Sequence, residues 1–145
     1  MSEAFIFPSK EWAGKFCKVL NESVEYRNAA KTWEGAILFV CTNLPDNIKQ
    51  LYDGRDKVGF ALDLYHGECR GVTWTLNPET LNTPYVIEAT YDDWVKILTG
   101  KLGPVPAMMS RKLRVTKGSL ATILRYATAS IAMVKAAQKV PTKLK

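Results

Sequence analysis

Few residues in this sequence have the types and spacing that acid–base or nucleophilic catalysis needs. The only histidine, His66, precedes Gly67 in an expected hairpin turn, and a general base there would need a nucleophile or an acid close by. No local motif supplies one. Asp92 and Asp93 are adjacent carboxylates, which point to different faces of a helix and so form a poor acid–base pair. We therefore do not expect an enzyme, and we interpret His66 as an exposed turn residue.

The three cysteines form no metal or redox motif. Cys17, Cys41 and Cys69 are odd in number and widely spaced, without a CxxC pair or a histidine cluster. This pattern predicts reduced, non-catalytic thiols and no metal or other cofactor. The N-terminal segment lacks the basic region and apolar run of a signal peptide, and the longest aliphatic stretch, AILFVC, is far too short to span a bilayer. We expect a soluble, uncleaved, cytoplasmic protein.

Charge is distributed unevenly along the chain. The 145 residues carry a net charge of +6, but residues 1–93 contain 9 Lys and Arg against 14 Asp and Glu, a net charge of −5. Residues 94–145 contain 11 basic residues and no acidic ones. The second part should therefore create a positive field suited to anionic headgroups, phosphates or an acidic partner. The alternative is that these basic residues are ordinary solvent-exposed side chains without a binding role.

A nucleic-acid-binding surface would need aromatic side chains among the basic residues, so that bases could stack beside the phosphate contacts. The basic residues around the expected last strand are Arg111, Lys112, Arg114 and Lys117. Most Phe and Trp residues lie outside this region, in patterned core positions. We therefore do not expect nucleic-acid binding.

Residues 90–119 contain the clearest local signals in the chain. Thr90 and Asp93 form a capping-box pattern that predicts the start of a helix. Apolar residues at helical spacing follow, and Gly100 with Lys101 predicts that this helix ends near Thr99. A proline-containing crossing, a short apolar piece and the alternating strand RKLRVTK come next.

The remaining elements predict one domain that spans residues 1–145. Ser9 can cap an amphipathic helix over residues 9–33, the run AILFVCT has the composition of a buried strand, and residues 58–76 have the pattern of a hairpin. The segment YVIEAT is a further strand, and Ser119 can cap a final helix before a basic tail at residues 140–145. The order α-β-β-β-crossover-β-α-β-α predicts an α+β (α/β two-layer) fold. Its five-stranded mixed, largely antiparallel sheet is covered by helices, and sheet and helices occupy residues 36–139.

The stretch YDDWVKILTGKLGPVPAMMSRKLRVTKGSLATIL resembles the sterol carrier protein type 2 family of lipid-transfer domains. That family joins an acidic helix start, a glycine stop, a proline-containing crossing, an apolar piece, a basic strand and a final helix after a glycine. Here Ala107, Met108 and Met109 stand at the apolar piece, and Gly118 precedes the final helix. Arg111 stands where many members have glycine, and the terminal TKLK is not a peroxisomal Ser-Lys-Leu-like signal.

The resemblance implies a non-catalytic carrier of a fatty acyl chain, an acyl-CoA, a phospholipid or a sterol-like ligand, in an apolar tunnel between sheet and helices. Such a site needs only an apolar lining, because burying a methylene contributes about 0.8 kcal/mol without a polar partner. The expected lining or lid residues are Phe60, Trp74, Met108, Met109, Leu113, Leu120, Ile123, Leu124 and Ile131. The expected headgroup contacts are Lys112, Arg114 and Lys117.

The basic second part of the chain makes an anionic membrane surface a further expected partner. An alternative hypothesis uses the same fold as an accessory or dimerisation module of an enzyme complex, with its groove closed by a protein partner or by a second copy of the chain. Exposed apolar patches of several hundred Å² would favour this alternative over an internal cavity.

Overall fold

The computed structural model describes residues 4–144, which form helices packed on a central sheet. The helices are α1 (Lys10–Glu22), α2 (Val24–Ala29), α3 (Asp46–Lys49), α4 (Tyr91–Leu98), α5 (Pro104–Met109), α6 (Leu120–Arg125) and α7 (Ala127–Gln138). The strands are β1 (Phe5–Ile6), β2 (Ile37–Thr42), β3 (Val58–Tyr65), β4 (Glu68–Thr75), β5 (Tyr85–Thr90), β6 (Arg114–Lys117) and β7 (Thr142–Lys143). None of the helices among residues 4–144 has the length and apolar character that crossing a membrane requires.

Strands β2 to β6 form one sheet in the order β4-β3-β2-β5-β6. The β2–β5 pair is parallel, whereas the β2–β3, β3–β4 and β5–β6 pairs are antiparallel. The predicted five-stranded mixed, largely antiparallel sheet is therefore confirmed. The β3–β4 hairpin turns at His66 and Gly67, which both have a positive φ, as a tight turn between two twisted strands requires.

The central strand β2 is buried on both faces of the sheet, which explains its continuous apolar sequence. Phe39 and Cys41 belong to the main core on the inner face, which the helices cover. Leu38 and Val40 belong to a small cluster on the outer face, where the segment between β4 and β5 contributes Leu81. The two faces are therefore distinct, and the helices that enclose the main core pack on the inner one.

The sequence predicts one helix over residues 9–33, but the structure divides this stretch into α1 and α2. Ser23 has an extended backbone (φ −89°, ψ 106°), and its hydroxyl accepts a hydrogen bond from the Tyr26 N–H at 3.1 Å. It thereby ends α1 and caps α2. The predicted final helix is likewise divided at Tyr126, between α6 and α7. Helical spacing of apolar residues continues across both breaks, so periodicity alone does not reveal them.

The two ends of the described chain pair with each other, a contact that the sequence does not predict. Strands β1 and β7 are parallel, and the Phe5 N–H donates to the Pro141 carbonyl at 2.8 Å. Leu144 packs against the core. The expected tail at residues 140–145 is therefore part of the fold as far as Leu144, and Lys145 lies outside the described residues.

The local signals in residues 90–119 predict helix α4 closely. The Thr90 hydroxyl accepts a hydrogen bond from the Asp93 N–H at 3.1 Å, and the helix ends at Leu98, with Thr99 as its C-terminal cap. Gly100 has a φ of +80°, the left-handed conformation that commonly follows a helix. The cap and the stop fix the two ends of α4. Its apolar side chains Trp94, Ile97 and Leu98 help to enclose a cavity at the inner face of the sheet.

A Gly67→Ala variant is expected to lower the free energy of unfolding by about 2–3 kcal/mol. Gly67 has a φ of +82°, and a Cβ atom there would lie 2.5 Å from the Arg27 carbonyl oxygen, a backbone atom that no rotamer change can move. Gly54→Ala is the matched control, because Gly54 has a φ of +74° but no atom within 4 Å of the added Cβ. It should lose about 1 kcal/mol. Urea denaturation would measure both variants, and equal losses would contradict this account of Gly67.

Candidate ligand-binding cavity

An apolar cavity of about 80 Å³ lies between the inner face of the sheet and the helices. From the strands β2, β3 and β5, the side chains of Phe39, Cys41, Phe60 and Ile87 point to the inner face. Helices α1, α4, α5, α6 and α7 close the other sides. The lining consists of Phe7, Trp12, Phe16, Phe39, Val40, Cys41, Phe60, Ile87, Trp94, Ile97, Leu98, Pro104, Met108, Leu113, Ile123, Ser130, Met133, Val134 and Ala137.

The lining is almost entirely apolar, and aromatic rings dominate one end of it. The Trp12 ring lies 5.9 Å from that of Phe60, and the Phe60 ring stacks on that of Phe39 at 5.4 Å, both measured between ring centroids. The indole N–H of Trp94, also in the lining, is satisfied by the Val40 carbonyl at 2.9 Å. Burial raises the pKa of the Cys41 thiol, so this group stays protonated at neutral pH and is a poor nucleophile. The cavity therefore offers apolar contact area rather than reactive groups.

Solvent reaches the cavity from the side of two helices. Most lining residues are buried, and the partly exposed ones all belong to α4 or α7. They are Trp94, Leu98, Ser130, Met133 and Val134. The gap between α4 and α7, which the Gln138 side chain spans by donating to the Ile97 carbonyl at 3.2 Å, is the candidate entrance.

A second apolar cavity, of about 40 Å³, lies next to the first on the inner face of the sheet. It is bounded by α2, by the junction of α6 and α7 and by aromatic side chains. Its lining consists of Tyr26, Ala30, Trp33, Ile37, Leu64, Ile87, Ile123, Tyr126, Ala129, Ser130 and Met133. Four of these residues also line the first cavity, so the two are adjacent.

The structure brings together some of the residues that the sequence predicts as lining. Phe60, Met108, Leu113 and Ile123 all line the first cavity. The other five residues of the predicted set lie elsewhere, on the surface or at the edge of the core. Met109, Leu120 and Ile131 are 68%, 40% and 42% exposed, Leu124 is half-buried, and Trp74 packs on the Tyr52 ring at 5.3 Å.

The predicted headgroup residues lie at three different positions. Arg114 pairs with Glu88 on the outer face of the sheet, with 2.9 Å between its Nη2 and the carboxylate oxygen. Lys117 donates to the Asn82 side-chain oxygen at 2.6 Å. Lys112 is exposed beside the lining residue Leu113, and within residues 4–144 its ammonium group forms no hydrogen bond or ion pair.

Sequence reasoning places several further lining residues in the core without assigning them to a cavity. Trp12 and Phe16 form part of the apolar stripe of α1, and Trp94, Ile97 and Leu98 form that of α4. The apolar periodicity identifies the face that each helix buries. It does not show whether that face meets another side chain or an empty space, because this depends on how the helices pack on the sheet.

Several polar side chains elsewhere among residues 4–144 form pairs on the surface. His66 is exposed in the hairpin turn, and its Nε2 lies 2.6 Å from a carboxylate oxygen of Glu34, which is also exposed. Arg70 donates two hydrogen bonds to Asp63. No group of three or more His, Cys, Asp or Glu side chains among the described residues is placed to hold a metal ion.

The prediction of three reduced cysteines is wrong for two of them. Cys17 of α1 and Cys69 of the edge strand β4 form a disulfide, with 5.5 Å between their Cα atoms. The packing of α1 on β4 brings together residues 52 positions apart, which sequence spacing does not reveal. Asn21 also joins α1 to β4, because its side chain donates to the Cys69 carbonyl at 2.9 Å and accepts from the Cys69 N–H at 2.8 Å. The argument from reduced thiols to a cytoplasmic location therefore loses its basis.

Comparison with known protein families gives a match over residues 14–129 to the SCP-2 sterol transfer family. The curated proteins give no significant match.

Three solved structures are similar to this chain over most of its length. The crystal structure of a sterol carrier protein 2 has a TM-score of 0.79 and 36% sequence identity, and the match covers 91% of this chain and 97% of that one. The solution structure of a conserved hypothetical protein from Thermus thermophilus has a TM-score of 0.80 and 34% identity, covering 99% and 94% of the two chains. Sterol carrier protein 2 from Yarrowia lipolytica, in its apo form, has a TM-score of 0.53 and 17% identity, covering 90% and 96%, a likeness in fold alone.

Proposed function

The chain belongs to the SCP-2 sterol transfer family, and from this premise we propose that it is a non-catalytic lipid carrier whose ligand lies in the cavity beneath the sheet. The candidate ligands are a fatty acyl chain, an acyl-CoA, a phospholipid or a sterol-like molecule. The observation that carries the proposal is the composition of the lining, which is aromatic and aliphatic apart from Ser130 and the protonated thiol of Cys41. Such a lining suits the apolar part of a lipid.

Burial alone can bind an apolar chain in such a cavity. Each buried methylene contributes about 0.8 kcal/mol, so a chain of about sixteen carbons gives on the order of 10 kcal/mol before the cost of ordering it is subtracted. A charged headgroup would lose its hydration inside the cavity and would find no charged partner in the lining. The proposal therefore places the chain inside and the headgroup at the surface.

The cavity must widen to accept a chain of that length. Its volume of about 80 Å³ is smaller than the engineered cavity of about 150 Å³ that binds benzene in another protein. Met108 and Met133 of the lining are unbranched and have three rotatable bonds each, so they can change conformation more easily than the branched and aromatic side chains around them. We expect ligand entry to move these side chains first.

We further propose that the protein takes up its ligand at an anionic lipid surface. Leu98 and Val134, at the candidate entrance, belong to the part of the chain that contains no acidic residue. The exposed apolar side chains of Met109 and Leu120 belong to the same part. Apolar side chains among Lys and Arg are typical of surfaces that bind anionic membranes.

Fluorescence displacement with delipidated protein would test the carrier function. We expect an environment-sensitive fluorescent fatty acid to bind saturably, and unlabelled fatty acids, acyl-CoAs or phospholipids to displace it. No saturable binding of any of these lipids would contradict the proposal. Purification with a stoichiometric enzyme partner and without bound lipid would instead favour an accessory module with its groove closed by that partner.

A Lys112→Ala variant is expected to weaken the binding of a long-chain fatty acid about twofold to fivefold, the effect of losing one exposed charge pair. The alcohol of the same chain length should bind equally well to the variant and the wild-type protein. Arg114→Ala is the matched control, because Glu88 already pairs with that guanidinium on the outer face. Equal losses for acid and alcohol would contradict a headgroup contact at Lys112, and a larger loss in Arg114→Ala would assign the contact to Arg114.

A further inference from the structure

One wall separates the two apolar cavities on the inner face of the sheet. Ile87, Ile123, Ser130 and Met133 line both cavities and form this wall. Three of the four side chains are apolar, so a chain that crossed the wall would stay in apolar surroundings. The first cavity reaches solvent between α4 and α7. The second lies along the same face beneath α2, and Tyr126, Ser130 and Met133 of its lining are also partly exposed.

Met133 is the residue of this wall whose side chain can change rotamer at the smallest free-energy cost. Ile87 belongs to β5, whose backbone pairs with strands on both sides, and Ile123 is 4% exposed. Both isoleucines are β-branched, which restricts their first side-chain torsion. Met133 is unbranched and only half-buried, so it can change rotamer while α7 stays in place.

We propose that Met133 forms a movable partition between the two cavities, and that the end of a long, unbranched acyl chain displaces it and occupies the second cavity. This inference rests on the proposed carrier function and adds the class of ligand. A flexible chain can pass one displaced side chain, whereas a rigid, fused-ring molecule cannot follow the same path. The protein should therefore prefer straight-chain acyl ligands to sterols, and should distinguish acyl chains by their length.

Two alanines of α7 provide a matched pair of test variants. Ala129 lines only the second cavity and Ala137 lines only the first, and both are buried, at 6% and 5% exposure. Ala129→Leu and Ala137→Leu therefore add the same atoms to the same helix, one in each cavity. A displacement assay with saturated fatty acids of about eight, twelve and sixteen carbons would compare them, and thermal unfolding would show that both variants are folded.

In the wild-type protein, we expect affinity to rise about fourfold for each added methylene, since about 0.8 kcal/mol per methylene corresponds to that factor. In Ala129→Leu, affinity for the shortest acid should be unchanged, and affinity for the longest should fall about tenfold or more. Ala137→Leu should weaken the binding of all three acids. If Ala129→Leu leaves the longest acid unaffected, or weakens all three equally, the inference is overturned while the carrier function stands.

A Met133→Ile variant tests the partition without adding volume. Isoleucine is close to methionine in size, but its β-branch makes it stiff in a helix. Affinity for the longest acid should fall about tenfold more than affinity for the shortest, because only the longest must pass Met133 to reach the second cavity. Equal affinity of the variant and the wild-type protein for the longest acid would overturn the role of Met133. If the wild-type protein binds none of the acids, this inference fails, and the proposed function fails with it only if acyl-CoAs and phospholipids also do not bind.

Discussion

A Trp12→Ala variant is expected to lose about 3–5 kcal/mol of the free energy of unfolding. Trp12 is 2% exposed, and its ring lies 4.8 Å from that of Phe7 and 5.1 Å from that of Phe16, between centroids. Its indole N–H donates to the Thr142 hydroxyl at 2.8 Å, which joins α1 to β7. Truncation would remove these contacts and enlarge the adjacent cavity, and the disulfide at Cys17 would limit how far α1 could collapse into the space.

Trp74→Ala is the matched control for this prediction. Trp74 is half-buried on β4 and packs on the Tyr52 ring, outside the lining of either cavity. Its loss should be about 1–2 kcal/mol, within the usual range for single substitutions. Urea denaturation would give both values, provided that the slope of the free energy of unfolding against urea concentration is the same in the variants and the wild-type protein. A loss at Trp12 no larger than the loss at Trp74 would contradict the central position of Trp12 in the core.

Removal of the disulfide is expected to have a similarly large effect. A Cys17→Ser/Cys69→Ser variant should lose about 4 kcal/mol, because the bond closes a loop between residues 52 positions apart and so restricts the unfolded chain. The Asn21 contacts with Cys69 would remain, so α1 should keep its place on β4 in the folded state. Thermal unfolding of the oxidised protein, the reduced protein and the double-serine variant would measure the effect.

Thiol titration of the unfolded protein is the direct control. Without reductant, the single free thiol of Cys41 should react, and with reductant all three cysteines should react. Three reactive thiols without reductant would contradict the bond. Equal stability of the oxidised protein and the double-serine variant would contradict its contribution to folding.

The sequence predicts the sheet well because its signals are local. The continuous apolar run of β2, the turn at His66 and Gly67 and the cap at Thr90 each specify one element by side-chain chemistry within a few residues. These elements, taken in order, predict the five-stranded mixed sheet and its covering helices. The family resemblance carried by residues 91–124 agrees with the match over residues 14–129.

The features that the sequence does not predict depend on contacts between distant residues. The Cys17–Cys69 bond requires α1 to lie on β4, and the β1–β7 pair requires both ends of the chain to meet. Neither contact leaves a periodic pattern. An odd number of cysteines argues against disulfides only if all of them must pair, and here Cys41 remains free in the core.

The cavity illustrates the same limit for function. The short apolar piece predicts Met108 in the lining and the alternation of the last strand predicts Leu113, and both line the first cavity. Met109, Leu120 and Ile131 are equally apolar and lie in the same half of the chain as Met108 and Leu113, yet they are exposed. Composition identifies apolar side chains that suit a lipid, and only the packing of short helices on the sheet decides which of them face inward.

Methionine methyl NMR with a saturated fatty acid of about sixteen carbons would test the central claim most directly. Met108 and Met133 line the first cavity, whereas Met109, next to Met108 in the chain, is 68% exposed. If an apolar chain enters the cavity, the methyl signals of Met108 and Met133 should shift saturably, and that of Met109 should change little. Unchanged signals from Met108 and Met133, or a shift confined to Met109, would contradict ligand binding in the cavity.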